Sequence, residues 1–216
     1  MWKNFAMTDF GAVAKPKNDL PIVVMNGRSV IREEFGKKLA EYLNLNISSG
    51  PWLAGGAVRK SYIGLPVGGA DWDIWFRSAE QYDRAEKLMH GLNAEVAWAS
   101  NNAITFHYHY EGVKHNIQLI KRRFFQSAQE VIDQFDFTVC QLITDGDQLI
   151  LGPYTAHDLE NRTLRSAQLA PQSYIISRMI KYMVYGYYPC RDLVDLIDQH
   201  QTAIDWKKNT HDYDAT

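Results

Sequence analysis

Trp52-Leu53-Ala54-Gly55-Gly56-Ala57-Val58-Arg59 is followed, 15 positions after Gly56, by Asp71-Trp72-Asp73-Ile74-Trp75-Phe76. The second stretch is rich in β-formers and alternates in character, so it reads as a strand. Asp71 and Asp73 stand at i and i+2, and a strand projects such a pair from one face. Two carboxylates that close repel each other unless a cation joins them. Hard divalent ions such as Mg²⁺ or Mn²⁺ take oxygen ligands and are commonly shared between carboxylates and substrate phosphates. Trp72, Ile74 and Phe76 fall on the opposite face and are expected to pack the core.

Between these two stretches, Ala57 to Ile63 reads as a short helix and Gly64 to Ala70 as a loop. Gly55-Gly56 permits a tight turn and lets backbone N–H groups approach a triphosphate closely. The helix start favours anions. Arg59, one turn in, is placed to reach a phosphate. A lone glycine pair is more often a plain turn and a lone Asp-x-Asp a solvated edge. Their order here, glycine pair, helix, loop and acidic strand, gives the combination its meaning.

Outward from this centre, Ile22 to Met25 is a short apolar run ending at the turn signal Asn26-Gly27. Residues 29–45 show helical spacing of Ile31, Phe35, Leu39, Tyr42 and Leu43, with Ser29 as a cap. Residues 78–90 read as a helix capped by Ser78, with Gly91 just past its end. Strands are expected at 95–99, 103–110 and 113–121. A short helix follows at 127–134, then a hairpin of Phe137 to Thr144 and Gln148 to Leu151 around Asp145-Gly146-Asp147. Helices at 173–185 and 191–204 complete the pattern. His107 and His109 share a strand face, which reads as an edge-strand polar face rather than a metal pair. Lys121-Arg122-Arg123 is the densest basic run, suited to a triphosphate or a solvated strand end.

The segment Gly55-Gly56-Ala57-Val58-Arg59 with Gly64, Pro66 and Asp71-Trp72-Asp73 resembles the signature of the polymerase β-like nucleotidyltransferase superfamily. It is most similar to the head domain of class II CCA-adding enzymes and bacterial poly(A) polymerases. Phe135-Asp136-Phe137-Thr138-Val139 resembles the segment that contacts the nucleotide sugar in those enzymes. Asp158 to Arg165 resembles the acidic-leucine stretch that follows it. Arg178, Lys181-Tyr182 and Gly186-Tyr187 resemble the basic helix leading onward. The resemblance covers about residues 50–190. It departs at Gln134-Phe135, where an arginine pair is expected, and at residues 171–175, where the base-reading motif is absent. His115 to Ile120 carries amides where many superfamily members place a third acid.

The resemblance implies an α/β (α+β) nucleotidyltransferase fold: a short mixed sheet flanked by helices, then a small C-terminal helical part. The expected division is an arm at 1–21, a nucleotidyltransferase domain at 22–168, a helical part at 169–206 and a polar tail at 207–216. Asp71 and Asp73 are the expected metal-holding and catalytic residues. Gly55, Gly56, Arg59, Asp136, Lys121 and Arg178 are the expected nucleotide-binding residues, with Asp136 at the sugar. The implied activity is metal-dependent, template-independent transfer of a nucleoside monophosphate from an NTP or dNTP. The acceptor is the hydroxyl of a nucleic-acid 3′ end or of a protein side chain. Small stand-alone members of this kind resemble those of phage, anti-phage defence or toxin–antitoxin settings. A non-catalytic nucleotide-sensing or interaction module on the same fold is the alternative. Tyr213, on the polar tail, is a candidate priming acceptor; Thr210 and Thr216 compete for that role, and an ordinary frayed end is the plainer reading.

Composition agrees with one generous globular domain or two small ones: 216 residues, 46% hydrophobic and 22% charged. Its 23 basic and 25 acidic side chains argue against a generic nucleic-acid coat. Cys140 and Cys190 are too few for a disulfide framework. No apolar stretch reaches the roughly 18 residues of a membrane span, and the N-terminus lacks a secretory h-region. The cytoplasm is the expected compartment; the oligomeric state stays open.

Overall fold

The computed structural model describes residues 22–24, 31–168 and 174–203, with backbone alone for 22–24 and 199–203. The expected arm at 1–21, the cap Ser29 and the tail with Tyr213 lie outside these residues.

An eight-stranded sheet organises the chain, in the order β1-β8-β7-β2-β3-β6-β5-β4. The strands are β1 (Ile22–Val24), β2 (Trp52–Ala54), β3 (Asp71–Trp75), β4 (Glu95–Ala99), β5 (Ala103–Tyr110), β6 (Val113–Ile120), β7 (Leu142–Thr144) and β8 (Gln148–Leu151). β3 and β6 run parallel, with Asp71 opposite Asn116 and Asp73 opposite Gln118. The other neighbours in this sheet pair antiparallel. The alternation in Asp71 to Trp75 therefore sits in a central strand, where a one-residue slip would swap its two faces.

One face is covered by helices α1 (Glu34–Leu43) and α3 (Ala79–Gly91). Trp72, Ile74 and Phe76 are buried there as expected. Phe35 of α1 meets Trp72 edge-on at 5.4 Å between ring centroids. Gly36 allows this approach: a Cβ there would collide with Ile31 and the Trp72 ring. Ser78 caps α3 by accepting from Gln81 N–H.

Some boundaries differ from the sequence reading. Helix α1 starts at Glu34 instead of 29, because Ile31 is already in the core and the Arg32 N–H donates to Ser61 Oγ at 3.1 Å. Gly91 is the last residue of α3; the left-handed position beyond it is Asn93, φ 56°. The expected strand from Phe137 is a 3₁₀ turn over Thr138–Cys140. Thr138 Oγ1 donates to Asp158 Oδ2 at 2.7 Å, and Thr155 Oγ1 donates to the Thr138 carbonyl at 2.8 Å. Those bonds come from α5 (Thr155–Glu160), a helix the sequence did not suggest. Asp158 is fully buried and also takes Arg165 Nε at 3.1 Å, so the acidic-leucine stretch ties the chain together internally.

Helix α2 (Gly56–Tyr62) and the short α4 (Ala128–Ile132) match their expected positions. A small parallel pair, β9 (Thr163–Leu164) and β10 (Tyr188–Pro189), brackets α6 (Ile175–Val184), and α7 (Arg191–Ala203) follows. Among the described residues no helix is long and apolar enough to cross a membrane.

Candidate functional site

The face of β3 opposite the helices carries Asp71 and Asp73, and it opens into a pocket of about 290 Å³. Gly55, Gly56, Arg59 and Lys60 line it from α2 and the turn before it, Gln118 from β6, and Arg178, Lys181, Tyr182 and Tyr185 from α6 and its end. Residues more than 100 positions apart thus meet over the two carboxylates. A larger pocket, about 600 Å³, lies at Tyr42, Pro51, Gln81 and Arg84; among the described residues Arg84 is the one charged side chain lining it, and they gather no comparable chemistry.

Gly55 fixes how closely the turn lies against the acid pair. Its φ of 82° with ψ −143° is a backbone region open to glycine, and a Cβ would collide with Asp73 Oδ2. The tight turn expected from the glycine pair is therefore pressed onto the second aspartate.

Asp73 keeps some exposed surface, yet its acidity is strongly altered. Burial first, and then the Asp71 carboxylate, push it up from 3.8 to about 8. Lys181, Arg178 and Arg59 pull in the other direction without overcoming this. Asp71 is exposed and accepts from Asn116 Nδ2 at 3.3 Å. Among the described residues no group of three or more His, Cys, Asp or Glu could hold a metal ion. The donor set here is two carboxylates, with the Gln118 amide beside Asp73 where a third acid could stand. Two hard oxygen donors on one face, one of them held mostly protonated by burial and by the other's charge, fit a divalent ion that takes its remaining ligands from phosphate and water.

Arg59 is buried, 5% exposed, and is committed to α6. One of its N–H groups donates to Tyr182 Oη at 3.1 Å, and the guanidinium stacks over that ring at 4.9 Å. Cys140 Sγ lies 2.8 Å from the same hydroxyl. Arg59 borders the pocket while coupling the glycine turn to Tyr182, a contact no local pattern foretells.

Two expected nucleotide residues are placed differently. Asp136 does not line the pocket; it is 4% exposed, and its Oδ2 lies 2.9 Å from Arg178 Nε as an ion pair without hydrogen-bond geometry. Burial raises its pKa, and Arg178 opposes the rise. Lys121 is not brought to the site. It follows the last residue of β6, its N–H donates to the Asn102 carbonyl at 2.8 Å, and it stands three residues past Gln118, roughly 10 Å along the strand.

Lys60, Gly69 and Ala70 line the pocket without having been singled out from the sequence, and Phe135 lines it from the segment likened to the sugar contact. Lys60 stands one helical position after Arg59. Phe135 occupies an expected arginine position and stacks edge-on against Trp75 at 5.7 Å. Trp75 shares the face of the aspartates, and its buried indole N–H has no hydrogen-bond partner. The alternation of β3 could have flagged Trp75.

Residues 29–162 match the family model described as Gabija anti-defense 2 family protein. That is more than half of the chain, and the chain belongs to this family. Among solved structures, the Thermotoga maritima CCA-adding enzyme complexed with tRNA is similar with a TM-score of 0.56 at 16% identity, over 80% of this chain and 45% of its own. A CCA-adding enzyme in complex with CTP gives 0.56 at 15% identity, over 79% and 44%. A tRNA nucleotidyltransferase with a primer tRNA and an incoming ATP analog gives 0.51 at 17% identity, over 70% and 46%. The chain spans less than half the length of these structures. At such identities the likeness concerns the fold, which is of the polymerase β-like nucleotidyltransferase type. No curated protein matches the chain at a significant level.

Proposed function

For a member of the Gabija anti-defense 2 family built on this fold, we propose metal-dependent nucleotidyl transfer from an NTP or dNTP to an acceptor hydroxyl. The observation that carries the reading is the pocket in which Asp71 and Asp73 share one strand face opposite Arg178 and Lys181. A fold alone does not specify an activity; an acid pair facing two cations beside a glycine turn suits a triphosphate. The similar solved structures were obtained with CTP, an ATP analog or tRNA, which supports a nucleotide in this pocket.

Asp71 and Asp73 would hold Mg²⁺ or Mn²⁺. A divalent ion bound there supplies neutralising charge to phosphate oxygens and favours ionisation of a nearby hydroxyl. Lys181 and Arg178 offset the triphosphate charge from the α6 side. The Gly55-Gly56 turn admits phosphate oxygens close to the backbone. Asp136 pairs with Arg178 Nε at 2.9 Å and Arg178 lines the pocket, so we assign Asp136 to positioning Arg178 instead of contacting the sugar. In the reaction the acceptor oxygen bonds to the α-phosphorus, the bond from that phosphorus to the bridging oxygen breaks, pyrophosphate leaves and the hydroxyl proton passes to water.

One observation favours a second reading, a nucleotide-sensing module without turnover: amides, not acids, stand beside both aspartates, at Asn116 and Gln118. Incubation with each labelled NTP and dNTP plus Mg²⁺ or Mn²⁺, resolved on denaturing gels, separates the two. Label transferred to protein or nucleic acid supports the enzyme. Saturable nucleotide binding without any labelled product supports the sensor. The family description sets either activity against a defence system.

A further inference from the structure

The face that carries the aspartates does not end at the pocket. Strand partners continue it outward: Asp73 stands opposite Gln118, Gln118 opposite Thr105, and Thr105 opposite Trp98. A second row runs Asp71, Asn116, His107, Glu95. Hydrogen bonds confirm the shared face, from Asn116 Nδ2 to Asp71 Oδ1 at 3.3 Å and from Gln118 Nε2 to Thr105 Oγ1 at 3.2 Å. Gln118 also lines the nucleotide pocket, so pocket and outer face are continuous.

Trp98 reaches this face through a local irregularity. The register of β4 on β5 shifts between Val96 and Trp98, leaving Ala97 as the extra residue. In an unbroken ladder Trp98 would oppose Ile104, on the side covered by the helices. The bulge turns it onto the side of the aspartates, where it is 58% exposed. Bulges near active sites commonly re-aim a side chain in this way. The same bulge breaks the edge ladder of β4, which discourages addition of a peptide strand there.

We propose that this face is the acceptor platform, taking a single-stranded nucleic-acid 3′ end with a base stacked on Trp98. The proposal rests on the transferase reading above. The face offers amides, a hydroxyl, two imidazoles (His107 and His109), Lys114 and one exposed indole, with Glu95 the acid at its rim. Sequence-tolerant single-strand binders use such a mixture, stacking bases on aromatic rings beside polar and basic groups. Neighbouring strands lie about 4.8 Å apart, so Trp98 is three strands and about 14 Å from Asp73. A stacked strand rising about 3.4 Å per nucleotide covers that span with about four nucleotides. The terminal hydroxyl then lies at the aspartates while an upstream base lies on Trp98.

The test uses fluorescein-labelled single-stranded 12-mers of RNA and DNA, the matching duplexes and labelled trimers, followed by anisotropy with Asp73→Asn protein so that no turnover intervenes. The 12-mer is expected to bind, and Trp98→Ala to weaken it by roughly 5- to 150-fold, the range one base–aromatic stack carries. Trp98→Phe should recover most of that loss, which separates stacking from misfolding. Trimers, too short to reach Trp98, should bind Asp73→Asn and Asp73→Asn/Trp98→Ala alike. Equal 12-mer affinity with and without the Trp98 ring, or equal preference for duplex, overturns the platform. Nucleotide transfer to a protein hydroxyl by a chain that binds no 12-mer overturns the platform and leaves the transferase reading standing. Trp98-dependent binding with no transfer from any nucleotide overturns the transferase reading and leaves the surface.

Discussion

Replacing Asp73 by Asn should make the metal-free protein more stable, and increasingly so as pH rises. The folded-state pKa of Asp73 is raised from 3.8 to about 8. Below about pH 4 the acid is protonated in both folded and unfolded chains, and Asn, its neutral isostere, gains nothing. Between about 4 and 8 the unfolded chain releases the proton while the folded chain keeps it, so wild-type stability falls with pH across that window. Above about 8 the loss is complete. At about 1.36 kcal/mol per unit the ceiling is about 6 kcal/mol. Solvent reaching the half-buried side chain screens part of it, giving an expected gap of about 2–6 kcal/mol at pH 9. For a chain of this size each kcal/mol moves Tm by about 2–4 °C, so even the low end is about 4–8 °C.

The assay is thermal unfolding of wild type and Asp73→Asn with chelator at pH 5, 7 and 9, repeated with Mg²⁺ or Mn²⁺. The gap should widen from pH 5 to pH 9. The ion should raise the wild-type Tm, because a ligand that binds the folded state stabilises it by mass action, and should do less for the Asn variant. A gap that is the same at pH 5 and pH 9, or a variant less stable than wild type at pH 9, would refute the reasoning that Asp73 is held in a site that penalises its charge.

Gly55→Ala should abolish transfer and lower stability by about 1–3 kcal/mol, because Ala must adopt a glycine conformation while its Cβ meets Asp73 Oδ2; activity assays and denaturant titration read both effects. Lys181→Ala should raise KM for the triphosphate about tenfold and push the Asp73 pKa further up, since Lys181 is the foremost cation lowering it. Lys121→Ala should leave transfer within twofold of wild type, as steady-state kinetics would show, because the residue stands outside the pocket. Gly36→Ala should cost about 1–3 kcal/mol by overpacking against Trp72 despite the better helix propensity of Ala; a urea midpoint unchanged or higher would contradict it.

Much of the centre was legible because it is local. The acid pair, its strand and the helix after the glycine pair depend on neighbours in sequence, and alternation alone assigned Trp72 and Ile74 to the core face. Ser78 announced α3 by capping, which acts over three residues. The misreadings share a different physics. Thr138–Cys140 turned as a 3₁₀ segment because Asp158, 20 residues on, takes the Thr138 hydroxyl. Helix α1 lost its first turn to a bond with Ser61, 29 residues on. Lys121 was chosen for charge density, yet charge density says nothing about distance along a strand.

The same contrast explains what the site is made of. The aspartates come from a pattern of period two, whereas the groups facing them depend on where α6 docks. Arg59 shows how that docking is held: a buried guanidinium reaches across to Tyr182, and Cys140 closes the triangle from the 3₁₀ turn. Tyr182 is not a proton carrier for transfer, since burial pushes its hydroxyl up, away from the working range. The effect of the three is geometric. They fix the helix that presents Arg178 and Lys181, and Asp136 then fixes Arg178 in turn. An acid pair alone would mark any of many strand edges; an acid pair opposite cations held by a buried lattice has a defined place for a polyanion, and that is why the chemistry is assigned to this pocket and not to the larger one at Arg84.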